Sequence, residues 1–470
     1  MLGRIAQLIQ SLGSRRKRTP DIYRERLELH PFEPLPDAGY LVGGAVRDAL
    51  LGRPVNDIDW LVPNPQDVAK HVADANRGSL VCLDDARNVW RVVTNLADDN
   101  PVNDNSADSV ITRDYVPLET SLEADLNTRD FTLNAIATDL DGVIYDPLNG
   151  RQDIANKLVR AIHIDNFYAD PLRLLRGVRL ACQLGFQLET QTQEMMLEVA
   201  RSQRAGTTSL PAWERVASEL NIMLMTPLAA WGMTLLDELE LLDLYLPELT
   251  EGRGLVQGGY HHLEVLDHNI EALRQLLLGF PDASLALRWG TLLHDVGKPM
   301  CHTHDPETGK THFYGHDKEG ARLCKDILKR LCEPNDVVHT ASELVRYHML
   351  PLPVADKAIR RFIHRRREIL PDLLKVMLAD REAAQGKQSS PAARQAYRLA
   401  VSRVVAEAGQ TPHPAPLLNG QDVMDLLNLD PGPKVGEALR FLAEASAVGD
   451  IHTKDDAEQA LRTYAAKQNW

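Results

Sequence analysis

Asp57 and Asp59, in the stretch NDIDWLV, are the pair of residues in this chain best placed to do chemistry. Residues two apart on an extended segment share a face, so both carboxylates project together. Two carboxylates that close repel unless a divalent cation lies between them, and magnesium accepts carboxylate and phosphate oxygens together. That layout suits two-metal phosphoryl transfer. A bare pair of this kind is more often an Asx-turn, here around Asn56. This pair is not bare. Gly43 and Gly44 leave backbone amides open to a triphosphate, and Arg47 stands at the start of the following helix, where anions are favoured.

A second set of chemically able side chains lies downstream. LDHN, LLHDVGKP, FYGHDKEGA, RYHM and MLADREA supply His268, His294, Asp295, His316, His348 and Asp380. Histidine and aspartate together ligate divalent metals, and an adjacent His-Asp pair on a helix can serve two ions at once. Water held between two such ions becomes hydroxide near neutral pH and can attack a phosphoester.

Positioning these groups needs two kinds of scaffold. YLVGGAV and DIDWLV read as short strands around a helix AVRDALLG, and IATDLDGVIYDP reads as a hairpin centred on Asp141-Gly142. After Asn149-Gly150 the strand signals almost vanish, and apolar residues recur at helical spacing in LRLLRGVRLACQLGF and EMMLEVA. Breaks fall in GRGLVQGG (Gly252 to Gly259) and in GKQSSPAA from Gly386. The expected organisation is a basic extension over 1–35, an α/β head over 36–150 and a helical neck and body over 151–250. An all-α domain over 251–390 and a helical tail over 391–470 follow.

A chain of 470 residues is too long for one core, and 44% hydrophobic with 25% charged residues is ordinary for a globular protein. No run of eighteen apolar residues and no secretory signal is evident, so the expected location is cytoplasmic, without a membrane partner. Five cysteines without CxxC spacing fit free thiols in a reducing compartment. A net charge of -14 argues against indiscriminate nucleic-acid binding. Two basic clusters stand against that background, Arg15, Arg16, Lys17 and Arg18, and Arg360, Arg361, Arg365, Arg366 and Arg367. Solvated charged faces are the ordinary reading of either.

GGAVRD followed by DID resembles the signature of the class II tRNA nucleotidyltransferases and bacterial poly(A) polymerases, which implies a polymerase-beta-like head. DLNTRDFTLNAIA resembles the family's ribose-selecting element, with Arg129, Asp130 and Asn134 conforming and Thr128 in place of the first arginine. DPLRLLRGVRLACQLGF resembles its base-templating helix. Cytosine and adenine both present an amine beside a bare ring nitrogen, so one acceptor, Asp170, and one donor, Arg173, can read either base and reject uracil and guanine. The two are one helical turn apart, and Arg176 continues that face toward the triphosphate. Ala169 replaces the glutamate usual before this aspartate. Asp108 in ADSVIT is the expected third catalytic carboxylate, with Asp114 as runner-up. SLPAWERVASEL, with Glu214, Arg215 and Glu219, resembles a later helical motif of structural role.

The order H, HD, H, H, D resembles the HD phosphohydrolase superfamily and implies a divalent metal of unspecified identity on the downstream set. His302, His304 and His312 have no place in that pattern and read as loop residues. The segment from Leu417 to Leu461 resembles the C-terminal element that follows the HD module in these enzymes. The resemblances together imply a magnesium-dependent enzyme that adds CMP and AMP from CTP and ATP to the 3′ end of tRNA without a nucleic-acid template. A possible HD phosphohydrolase activity goes with it. Addition of CC alone is an alternative, because only TRDYVPLET separates VI from SLEADL, where CCA-adding relatives carry a longer loop. Poly(A) polymerase, a phosphohydrolase with an RNA-gripping head, and an RNA-binding protein with both sites dead are further alternatives. Intact DID, TRD and DPLR argue against the last two. The oligomeric state is left open.

Overall fold

Strand β1 (Tyr40–Val42) runs through Gly43 into helix α1 (Gly44–Leu50), and the chain returns as β2 (Asp57–Val62). In β2 the side chains of Ile58 and Trp60 are buried while Asp57 stays exposed, the alternation of a strand with one covered face. Helix α2 (Pro65–Ala75), β3 (Ser79–Asp84), β4 (Val89–Asn95), β5 (Val110–Pro117), α3 (Leu122–Asn127), β6 (Ala137–Thr138) and β7 (Ile144–Tyr145) follow. The strands form one sheet in the order β3-β4-β5-β2-β1-β6-β7. Only the β2–β5 pair within it is parallel, among the described strands. The β6–β7 hairpin turns at Gly142, whose φ of 81° is a left-handed value that glycine adopts without strain.

The computed structural model describes residues 24–95, 110–257, 261–307, 311–386, 388–410 and 416–470. Asp108 and the cluster Arg15 to Arg18 lie outside the described residues. Residues 24–35, expected to belong to the extension, pack on the head instead. Leu27 and Phe32 are buried, and the Leu27 amide donates to the Gly142 carbonyl at 2.8 Å. The chain divides into two compact units, Met1–Tyr245 and Leu246–Trp470.

In the first unit the sheet gives way to helices. Helix α4 (Gly150–Asn156) precedes a two-strand pair, β8 (Leu158–Val159) with β9 (Gln187–Leu188), that brackets α5 (Ile164–Ala169) and α6 (Leu172–Leu184). Then come α7 (Thr190–Arg204), α8 (Trp213–Leu224) and α9 (Ala229–Glu238), with α6 packed on both α8 and α9. Gly177 of α6 has no room for a side chain, because a Cβ there would lie 2.8 Å from the Phe131 ring.

The second unit is almost wholly helical: α10 (Val265–Gly279), α11 (Leu285–Leu292), a two-residue hairpin β10 (Thr303–His304) and β11 (Thr311–His312), α12 (His316–Arg330), α13 (Asn335–Tyr347), α14 (Asp356–Arg366), α15 (Leu370–Ala383), α16 (Pro391–Gln410), α17 (Gly420–Leu427), α18 (Pro433–Ala447) and α19 (Lys454–Lys467). His304 and His312, read as loop residues, therefore sit on a small hairpin. The last three helices share a core of Leu418, Val423, Val435, Ala438, Leu442 and Leu461. Capping boxes at Asn419 and Thr453 fix where two of them begin. Four arginines of the α14 region have partners: Arg361 and Arg365 pair with Glu444, Arg360 pairs with Glu407, and Arg366 lies 3.8 Å from the centre of the Tyr347 ring. Among the described residues no helix is long and apolar enough to cross a membrane.

Candidate functional site

Asp57 and Asp59 do share one face of β2, as the spacing requires. Across the parallel pair, Asp59 stands beside Asp114 of β5, and across the antiparallel pair it faces Val42 of β1. Burial raises the Asp59 carboxyl above the usual range, against the pull of Arg129, and the charges of Asp114 and Asp57 add to the rise. Asp114 thus lies in register beside the pair. The stretch TRDYVP, expected to be part of a connecting loop, is the body of β5, and only residues 118–121 separate that strand from α3.

Gly43 is needed where it stands. Its φ is 77°, and a Cβ would come 2.8 Å from Arg129 Nη1 and 3.6 Å from Asp59 Oδ2. The predicted nucleotide-binding residues beyond it form a continuous polar chain. Arg47 Nη1 donates to Asn134 Oδ1 at 2.5 Å, Asn134 Nδ2 donates to Asp130 Oδ1 at 2.9 Å, and Arg176 Nε pairs with Asp130 Oδ2 at 2.7 Å. Arg176 first, then the hydrogen bonds from Asn134 and the Phe131 amide, hold the Asp130 carboxyl low although burial opposes it. Arg129 is tied by its Nε to Asp125 at 2.8 Å. Four elements, α1, α3, the turn at Thr132–Asn134 and α6, are thereby fixed around one polar patch.

Asp170 is not on the helix expected to carry it. It adopts extended backbone between α5 and α6 and accepts from the Leu172 amide at 3.3 Å, while Arg173 lies inside α6. The Asp-Pro step explains the break, since a residue before proline avoids helical backbone. Asp170 also receives two hydrogen bonds from Arg215 of α8, at 2.8 and 3.3 Å, and Arg173 Nη1 donates to the carbonyls of Thr128 and Asn166. Arg215 reads as structural in the sequence because nothing local links it to a residue 45 positions away. If Asp170 reads the base amine, Asp170→Ala relaxes discrimination against UTP by roughly tenfold or more, the scale of one lost buried hydrogen bond to substrate. Competition between CTP and UTP in single-turnover incorporation measures it.

In the second unit, His268 comes from α10, Asp380 from α15, His316 from the first residue of α12 and His348 from the residue after α13. His294 and Asp295 lie in the turn that follows α11, and not on a helix as expected. All except Asp380 are buried. His268 Nε2 lies 3.0 Å from Asp380 Oδ1 and 3.3 Å from His294 Nε2, which lies 3.3 Å from Asp295 Oδ2. The other oxygen, Asp295 Oδ1, lies 3.4 Å from His316 Nε2 and 3.5 Å from His348 Nε2. One aspartate is therefore shared by two groups of atoms that could hold a metal ion.

Three of these rings are oriented alike. The Nδ1 atoms of His294, His316 and His348 meet the carbonyls of Thr291, Phe313 and Val345 at 2.7 to 2.8 Å. A carbonyl only accepts, so Nδ1 carries a proton and Nε2 is the ring atom turned inward. Asp295 Oδ1, His316 Nε2 and His348 Nε2 are buried without hydrogen-bond partners, which fits ligand atoms for a divalent cation. Lys298, at 2.5 Å from Asp295 Oδ2, and the neighbouring His294 hold that carboxyl well below its usual range in spite of burial. Sequence reading missed His261, which joins His268 and Asp380 in a third ligand-like group, its ring 4.4 Å from that of His268. Burial lowers its pKa to about 3, so it is a neutral ring at physiological pH. Its position just before the expected ligand series was the available signal.

Gly297 lets this turn reach α12. A Cβ there would lie 2.4 Å from the His316 carbonyl oxygen and 2.5 Å from the Gly320 nitrogen. Gly297→Ala is expected to destabilise the second unit by about 1–3 kcal/mol, the usual cost of overpacking. The readout is a lower urea midpoint.

Comparison with known proteins agrees with this geometry. The Poly A polymerase head domain family matches residues 39–160, the family described as probable RNA and SrmB- binding site of polymerase A matches 185–252, and the HD domain family matches 259–385. The A-adding tRNA nucleotidyltransferase of Deinococcus radiodurans is 48% identical over 436 residues, covering 93% of this chain and 97% of the relative. The chain belongs to the tRNA nucleotidyltransferase family. It is an enzyme of that family with an HD domain. The CC-adding tRNA nucleotidyltransferase of Thermus thermophilus is 41% identical, covering 92% of this chain and 94% of the relative. The Multifunctional CCA protein of Pseudomonas fluorescens is 30% identical, covering 86% and 96%. The CCA-adding enzyme of Bacillus stearothermophilus, solved in complex with CTP, has the same fold at 24% identity and a TM-score of 0.60, covering 92% of this chain and 95% of its own. Both domain types generally use divalent metals.

Proposed function

We propose that this tRNA nucleotidyltransferase adds CMP and AMP, from CTP and ATP, to the 3′ end of tRNA and releases pyrophosphate. The observation that carries the reading is the row of Asp57 and Asp59 on β2, beside Gly43 and the chain Arg47–Asn134–Asp130–Arg176. Asp57 and Asp59 would hold magnesium, which when bound lowers the pKa of the terminal 3′-hydroxyl and neutralises phosphate charge. Arg47, Arg129 and Arg176 face the triphosphate with fixed positive charge, Gly43 lets it approach the backbone, and Asp170 with Arg173 reads the base. With no covalent intermediate to form, catalysis is positioning plus charge. A cytoplasmic location goes with a tRNA substrate.

Addition of part of the CCA end is a second reading. It is favoured by the short connection between β5 and α3, residues 118–121, and by relatives at 48% and 41% identity named for A addition and CC addition. Two tRNAs, one lacking the whole CCA end and one ending in CC, separate the readings when each is incubated with CTP, ATP or both. CCA addition predicts three nucleotides on the first and one on the second. Growth of the first by two nucleotides at most, or of the second alone, establishes a partial activity.

The downstream cluster supports a second, hydrolytic activity on phosphoesters. His268, His294, Asp295, His316, His348 and Asp380 would hold its divalent cation, with His261 beside them.

A further inference from the structure

Arg91 of β4 forms a two-pronged ion pair with Asp114. Its Nε donates to Asp114 Oδ1 at 2.7 Å and its Nη2 to Oδ2 at 2.8 Å, so both carboxylate oxygens are engaged. The contact follows from strand register. Arg91 stands directly across from Asp114 in the β4–β5 pair, and Asp114 stands directly across from Asp59 in the β2–β5 pair. Three adjacent strands therefore carry a cation, an anion and an anion in one row, with Asp57 two residues along on the same face. Arg91 feels Asp57 and Asp59 as well as Asp114, and Asp59 feels Asp114 in turn. The other cations near Asp59 are committed elsewhere, Arg129 to Asp125 and Arg176 to Asp130.

We propose that Arg91 withdraws Asp114 from the head's metal-ligand set, and so sets how tightly Asp57 and Asp59 hold a divalent cation before nucleotide arrives. The inference rests on the reading of Asp57 and Asp59 as metal carboxylates. Three free carboxylates in one row would bind a divalent cation strongly even without substrate. With a guanidinium locked onto one of them, two remain, and the triphosphate supplies the further negative charge that completes the site. Arg91 is in this account a positioning residue that acts through Asp114, and it need not touch substrate.

Charge balance gives the test a sign that a merely structural role lacks. Manganese binding to the full-length protein without nucleotide is measured by electron paramagnetic resonance. The class of sites lost in Asp57→Ala/Asp59→Ala identifies the head. Arg91→Gln frees Asp114 and is expected to tighten that class roughly tenfold, as an uncompensated charge at this range would. Asp114→Asn leaves the guanidinium unopposed and is expected to weaken it by a similar factor, and the double variant returns near wild type. Arg91→Lys keeps the charge without the fork and stays close to wild type, which covers the case in which the glutamine variant folds poorly. Weakening of the head class by Arg91→Gln, in parallel with Asp114→Asn, overturns the proposal and makes Asp114 a ligand that Arg91 merely orients. No change in either single variant overturns it too. If Asp57→Ala/Asp59→Ala loses no class of sites, the underlying assignment of the metal carboxylates fails instead.

Discussion

Asp57→Ala and Asp59→Ala are each expected to lower nucleotide incorporation by roughly 10³-fold or more, the equivalent of the several kcal/mol that a catalytic metal site contributes. Neither change should unfold the head. Asp57 is exposed, and Asp59 is held above its ordinary pKa chiefly by burial. A carboxyl raised in the native state binds its proton more tightly folded than unfolded, so its stabilising contribution is lost as pH rises through the folded value. Above that folded value the ionised Asp59 costs stability, and Asp59→Asn, which carries no charge there, should melt at the same temperature as wild type or higher while being inactive. Circular dichroism melts run beside single-turnover incorporation check both halves. A variant that is inactive and also melts far below wild type would mean that the pair braces the sheet.

The second large effect concerns the other compact unit. His294→Ala/Asp295→Ala removes a buried ring and the aspartate shared by two groups of atoms that could hold a metal ion. Metal-dependent release of phosphate from nucleotide monophosphates, or opening of 2′,3′-cyclic phosphates, should fall to background, while CTP incorporation stays within about threefold of wild type. The candidate ligands all lie beyond residue 260, in the unit that begins at Leu246. Absence of hydrolysis by wild type with magnesium, manganese, cobalt and nickel would make the cluster structural. Loss of incorporation together with hydrolysis would mean that these residues hold the tRNA-binding architecture.

Much of this was legible in the sequence, for reasons particular to each element. DIDWLV could be placed because period-two alternation leaves little freedom over which side its aspartates face. The downstream histidines and aspartates were legible as residue types that could cluster, although His294 and Asp295 turned out to sit in a turn whose close approach to α12 depends on Gly297. Long-range pairing was the hidden part. Nothing in TRDYVPLET announces that it pairs in parallel with β2 and so brings Asp114 beside Asp59, while Asp108 lies outside the described residues. The partners of Arg91 and Arg215 were hidden for the same reason: each pairs with a carboxylate far along the chain, Asp114 or Asp170, through strand register or helix packing. Asp170 was misplaced onto a helix because the one-turn spacing to Arg173 outweighed the Asp-Pro break.

The most direct test of the central claim is pyrophosphate release measured against nucleotide incorporation, on tRNA stripped of its CCA end, with and without a chelator. The account predicts one pyrophosphate per nucleotide added, from CTP and ATP and not from UTP or GTP, abolished by chelation and by Asp59→Ala. Release of inorganic phosphate without extension of the tRNA, or extension that survives in Asp59→Ala, would contradict it.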